Sequence, residues 1–328
     1  MSEDTLPGPA LNLAVVLAPD PYPLPPMAPE IWQNLPYFDN TLVSAAQTAY
    51  GCAHVLPVSG AEAGIAALAR LFQTWYGSMR VVLAEPSFEA WGDRLRRANH
   101  VVLDWPAEMI AEGEIPECDV VIVGRPVNPV GPVIGVDPLL KLATKCREQG
   151  GWLVVDETFV DAEPIESFSA YAEKAPAIVL RSISPFFGLG GARVGFICAP
   201  QAVVKALNGE VGPWAVSGPA LWAASVALKD SAWQAEQKIR LHAHSRRLAE
   251  LWRNIGLQCH PTGLYLGLSG VATKAVYQKL LQLGIKTRLF DLDEPLLRCS
   301  MPVCEQDWLS LDHALQVVCE QNAVLSTR

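Results

Sequence analysis

Between His54 and Pro200 one pattern repeats: a short run apolar at nearly every position, then a stretch with helical spacing. HVLPV (54–58) leads into AEAGIAALARLF, and VVLAEP (81–86) into FEAWGDRLRRA. CDVVIVGRP (118–126) leads into VDPLLKLATKCREQGG (136–151), whose closing glycines suit a helix C-terminus. VVLDWP (101–106), WLVVDETF (152–159), AIVLRSIS (177–184) and ARVGFICAP (192–200) complete the apolar runs. Strands apolar on both faces and separated by helices predict a mostly parallel sheet covered on both sides. Ligands of such sheets bind beyond the carboxyl ends of the strands, where GRPVNPVG, DETFVD and SISPFFG all fall.

After GPWAVSGPALWAASVALKD (212–230) the pattern changes. Residues 231–256 predict one long amphipathic helix, and LYLGLSG and PLLRCSM read as strands around the helical TKAVYQKLLQLG. The proline-rich opening, with PDPYPLPPMAPE, reads as an extended arm lying on the body or on a partner subunit. The expected division is an arm (1–36), a large α/β domain (37–230) and a small α+β C-terminal domain (231–328).

Composition narrows the picture. Of 328 residues, 50% are apolar and 18% charged, enough for a substantial core and too apolar for disorder. The formal net charge of -9 argues against a nucleic-acid surface. MSEDTLPGPALNLAVV has acidic residues where a signal peptide is basic, and no run approaches the roughly 20 apolar residues of a membrane span. Eight scattered cysteines without a CxxC pair fit buried thiols in a reducing cytoplasm. The expectation is a cytoplasmic protein with neither nucleic acid nor membrane as partner, and with no metal site.

Several polar residues sit where an apolar strand ends. Asp156 closes a fully apolar strand, where a carboxylate is costly unless a cation or hydrogen bonds meet it. Asn128 lies between two prolines, in a turn that fixes its side chain. Ser182, Ser184 and Arg193 supply hydroxyl and guanidinium groups suited to a phosphate, although Arg193 could equally pair with an acid. Ser59-Gly60 opens a helix whose first amides can hold the same anion. Phe88 could cover a flat ring, but Phe88, Phe159, Phe186 and Phe187 each read as core when taken singly. Arg298, between apolar residues, needs a partner, either a substrate or an acid.

In this order the segments DETF, LRS...FFGLGGARVGF, GPWAVSGPAL, TGLY and IKTRLFD...LLR resemble fold-type I pyridoxal-phosphate enzymes. They look most like the threonine-phosphate decarboxylases of cobalamin biosynthesis, relatives of histidinol-phosphate aminotransferase. The resemblance implies the aspartate-aminotransferase fold, a homodimer, a pyridoxal 5'-phosphate cofactor and a small phosphorylated amino acid as substrate. It implies that Asp156 holds the pyridine nitrogen, Asn128 the ring hydroxyl, and Phe88 one ring face. Gly60, Ser182, Ser184 and Arg193 would take the phosphate, with Phe159 beside the cofactor. Arg298 would take the substrate carboxylate, and Tyr37 would reach across the subunit interface.

The departures bear on activity. The family reads S-x-[ST]-K, with the lysine forming the cofactor aldimine, and here that position is Pro185. Proline has neither an amine nor a titratable group, so no catalytic residue is assigned there. The family's NPNNPTG turn reads RPVNPVG, the phosphate turn has Ala61 after Gly60, and LSTGINP has become LAVVLAP. Three readings stay open. One is a decarboxylase or aminotransferase of cobalamin biosynthesis with impaired chemistry. The others are a non-catalytic paralogue binding the cofactor, its pyridoxamine form or a phosphorylated metabolite, and a structural partner of an active enzyme.

Overall fold

The computed structural model describes residues 10–36, 40–175 and 177–326, the side chains of residues 40 and 321–326 excepted. In chain order its strands are β1 (Leu11–Asn12), β2 (Val55–Val58), β3 (Arg80–Glu85), β4 (Val101–Pro106) and β5 (Val120–Gly124). Then come β6 (Trp152–Asp156), β7 (Ala177–Ser182), β8 (Gly195–Cys198), β9 (Gln258–Pro261) and β10 (Tyr265–Ser269), followed by β11 (Ile285–Lys286), β12 (Arg288–Phe290) and β13 (Leu296–Ser300). The chain divides into two compact units. Tyr22–Trp233 form one, and the described residues before position 22 join those from Gln234 onward in the other.

The larger unit is built on a seven-stranded sheet of order β2-β8-β7-β6-β5-β3-β4. From β4 to β7 all neighbours are parallel, as the apolar runs predict. β8 runs antiparallel to both β7 and β2. Periodicity could not foresee this, because a strand buried on both faces looks the same in either direction. The cause is the link: residues 183–194 hold only the short helix Ser184–Phe187 and a 3-10 turn at Gly190–Ala192, too little for the crossover that parallel neighbours need. The helices Ala61–Tyr76 and Glu89–Arg97 cover one face. There Ile65, Leu68, Phe72 and Leu95 pack on Val81, Ile122, Val154 and Ile178 of the sheet. At roughly 25 cal/mol per Å² of apolar surface removed from water, this layer is the main term holding the strand ends in place.

The smaller unit carries an antiparallel sheet of order β12-β13-β10-β9, and β1 pairs in parallel with β11. Within the arm, Leu11 and Asn12 therefore pair with Ile285 and Lys286. The long helix spans Ser231–Trp252, four residues short of the expected end. Trp252 is the helix's last buried residue, and the chain then turns through Gly256 with φ of +82°.

Candidate functional site

The carboxyl ends of β3, β5, β6 and β7 and the start of the Ala61 helix lie in the larger unit and carry most of the expected residues. The anion-binding end is the most fully built. The Ala61–Tyr76 helix starts at Gly60 with no side-chain cap, so its first amides are open to a ligand. Gly60 has φ of +82°, and a Cβ placed on it would lie 2.6 Å from Nη2 of Arg193. The guanidinium therefore sits directly over the helix start, while Arg193 itself takes a left-handed φ of +53°. Gly195 permits this approach: a Cβ there would meet the Ala61 nitrogen at 2.8 Å and the Gly60 carbonyl carbon at 2.9 Å. Ser182 pairs with Gly195 across β7 and β8. Its Oγ accepts the Ser184 amide at 3.2 Å, which leaves its own proton free to donate. Ser184 Oγ is buried and has no hydrogen-bond partner among the described residues.

Asp156 ends β6 and is 9% exposed. Its Oδ2 accepts the Trp91 indole N–H at 2.8 Å, and its Oδ1 accepts the Thr158 amide at 3.1 Å. Burial pushes the carboxyl up from its ordinary pKa, and the two neutral donors pull it back only in part. The acid thus faces the strand-end region without a cation among the described residues, a place suited to a protonated ring nitrogen. Phe88, just before the Glu89–Arg97 helix, is 48% exposed and free to lie against a flat ligand. Asn128 is buried between Pro126 and Pro129 beyond β5, and Phe159 is half-buried after β6.

Sequence reasoning missed two supports. Trp91 reads as a core aromatic, yet its N–H fixes the Asp156 carboxylate. Behind Asp156, Glu157 is fully buried and accepts Arg125 Nη1 at 2.7 Å, with Arg181 Nη1 at 3.7 Å. Arg181 also pairs with Asp161 and lies 4.2 Å from the Tyr50 ring centroid. Two buried cations and two acids thus lock the backbone of β6 and β7 beneath the site. The only signal was the Arg125 and Arg181 positions at strand ends.

Pro185 is buried in the Ser184–Phe187 helix. None of the nine lysines is buried. The residues present fit the phosphate and ring-nitrogen ends of pyridoxal phosphate, through Arg193, the Gly60 turn, the unpartnered Ser184 hydroxyl and Asp156. They do not fit its carbonyl end, since Pro185 has no amine. Arg298, in β13 of the smaller unit, donates from Nη2 to the Ala14 carbonyl at 2.9 Å. It lies 5.7 Å from the Tyr265 ring and 5.6 Å from that of Phe290. Burial pushes its pKa down to about 10, which still leaves it a cation at neutral pH. Tyr37 lies outside the described residues. Among the described residues no group of three or more His, Cys, Asp or Glu could hold a metal ion, and no helix is long and apolar enough to cross a membrane.

The aminotransferase class I and II family model matches residues 35–310. The chain is 37% identical to a threonine-phosphate decarboxylase of Pseudomonas aeruginosa over 308 residues, 93% of this chain and 91% of the relative. It is 32% identical to one of Sinorhizobium sp, over 89% of this chain and 87% of that protein. Among solved structures it is similar to the L-threonine-O-3-phosphate decarboxylase of Porphyromonas gingivalis, with a TM-score of 0.77 at 21% identity, covering 94% of this chain and 99% of that one. It is also similar to the histidinol-phosphate aminotransferase of Sinorhizobium meliloti in complex with pyridoxal-5'-phosphate. There the TM-score is 0.79 at 18% identity, covering 96% of this chain and 92% of the other.

Proposed function

The chain belongs to the class I and II aminotransferase family, and we propose that it is a threonine-phosphate-decarboxylase-type protein of cobalamin biosynthesis whose cradle binds its cofactor by reversible contact alone. The observation that carries this reading is the contrast within one loop. Arg193 lies over the open Gly60 helix start, Ser182 pairs with the Gly195 that packs on it, and Ser184 carries a buried unpartnered hydroxyl, while Pro185 stands where the family's lysine would.

Pyridoxal phosphate supplies an electron sink for bonds at the α-carbon of an amino acid. This chain's residues would position that group. Arg193, the first amides of the Ala61 helix and the two serine hydroxyls bind the phosphate. Asp156, steadied by Trp91, holds the ring nitrogen; Asn128 takes the ring hydroxyl and Phe88 one ring face. Arg298 offers a charge-assisted fork for a substrate carboxylate. Missing is a group that can bond to the carbonyl carbon and carry a proton at the α-carbon, so decarboxylation is impaired or lost. The ligand is a phosphorylated amino acid or the cofactor in its aldehyde or amine form, and the protein works as a cytoplasmic homodimer.

The test is Pro185→Lys, assayed for release of carbon dioxide from threonine phosphate in the presence of pyridoxal phosphate. Negligible turnover in the wild type and a gain in the variant are expected. Wild-type turnover that the substitution leaves unchanged would refute the proposal.

A further inference from the structure

Away from this cradle, the two edge strands of the large sheet bring two cysteines together. β2 and β8 are antiparallel neighbours, with Val55 opposite Cys198. Cys52 lies in the turn between the Asn40–Tyr50 helix and β2. The His54 carbonyl accepts both the Ala199 amide and the Cys52 thiol, each at 3.3 Å. One oxygen therefore ties the residue after Cys198 to the sulfur of Cys52, and each thiol influences the titration of the other. Cys198 is wholly buried; Cys52, 4% exposed, lies in a turn whose Gly51 and Ala53 are exposed.

We propose that Cys52 and Cys198 form a reversible dithiol–disulfide site, with Cys52 attacking a hydroperoxide and Cys198 resolving the product. The Cys52 thiolate attacks one peroxide oxygen and the O–O bond breaks. The leaving oxygen takes a proton to become water, and Cys52 becomes a sulfenic acid. Cys198 sulfur then attacks Cys52 sulfur, the S–O bond breaks, and hydroxide departs with the Cys198 proton as a second water. Two thiols lose two electrons in total, and hydrogen peroxide gains them. A small-molecule dithiol reverses the reaction.

The surroundings distinguish the two roles. The neighbouring Cys198 thiol is the largest influence on Cys52 and holds its pKa down to about 7, with His54 helping and burial and Glu173 opposing. Burial and then Cys52 push Cys198 well up, against Arg181 on β7 and the nearby Ser169; Tyr50 of the preceding helix belongs to the same cluster. Burial pushes Cys118 up to about 11, and Cys146 and Cys299 to about 12, so none of these three is a ready nucleophile.

The experiment treats the fully reduced protein with hydrogen peroxide at one equivalent, then maps its peptides without reduction. The expected product is a Cys52–Cys198 linked pair, lighter by two hydrogens, with two fewer titratable thiols and full recovery after dithiothreitol. In Cys198→Ser the expected product is a Cys52 sulfenic acid captured by dimedone. Oxidation of exposed Cys304 before Cys52, or Cys52 reaching the sulfinic state while Cys198 stays a thiol, would overturn the proposal. The wild-type map decides the matter even if the variant fails to fold.

Discussion

At Arg193 a single guanidinium is held over a helix start by its own left-handed backbone, so its contribution to ligand binding is separable from folding. Arg193→Ala is expected to weaken binding of pyridoxal phosphate by roughly ten- to a hundredfold, the scale of a lost charge-assisted hydrogen bond of about 1.5–3 kcal/mol. Titration calorimetry measures it, and unchanged affinity would remove Arg193 from the cradle. Trp91 acts through Asp156. With its pKa raised in the native state, Asp156 contributes stability that is present below the ordinary carboxylate value of about 4 and is lost as pH rises through the higher native value. Removing the indole donor raises that native value further. The stability deficit of Trp91→Phe should therefore grow as pH rises from the acid range toward neutrality, measured by urea denaturation at several pH values. A deficit independent of pH would mean that the indole only fills space.

Among the elements, the Ala61 helix and the β7–β8 link matter most. Gly60 has φ of +82° and ψ of 163°, a region open to little but glycine. Gly60→Ala is expected to cost about 1–3 kcal/mol of stability and to displace Arg193, lowering phosphate affinity along with the denaturation midpoint. Stability lost with affinity intact would separate the turn from the site. Much of this architecture could be read from the residues. The unbroken apolar runs at β3, β5, β6 and β7 required a covered parallel sheet, and Gly60, Asp156 and Ser182 stood at the breaks between run and helix. The direction of β8 could not be read, because the link rather than the strand decides it. The two-residue ladder of β1 and β11 is too short to leave a period. Trp91 stayed hidden because an indole that donates one hydrogen bond has the same sequence signature as one that only packs. The pairing of Glu157 with Arg125 and Arg181 joins residues distant in sequence, which no local pattern marks.

For the molecule as a whole, the fold is that of the family, and the proposed loss concerns one chemical capability at Pro185. On the proposed reading, the Gly60–Arg193 turn serves as phosphate cradle and Asp156 as the acid for a ring nitrogen, with the Glu157 network beneath them, which argues for a protein that still binds. The aldehyde and amine forms of the cofactor should then stabilise it to similar extents in thermal unfolding, since neither gains a covalent bond.

The most direct measurement is the intact mass of the wild-type protein saturated with pyridoxal phosphate and reduced with borohydride, beside a sample in which pyridoxamine phosphate competes. Arg193 and its neighbours are taken to grip the ligand without any lysine fixing it, so the mass should equal that of the untreated chain, apart from scattered surface labelling that the competitor leaves untouched. A single stoichiometric adduct on one lysine, abolished by the competitor, would contradict this.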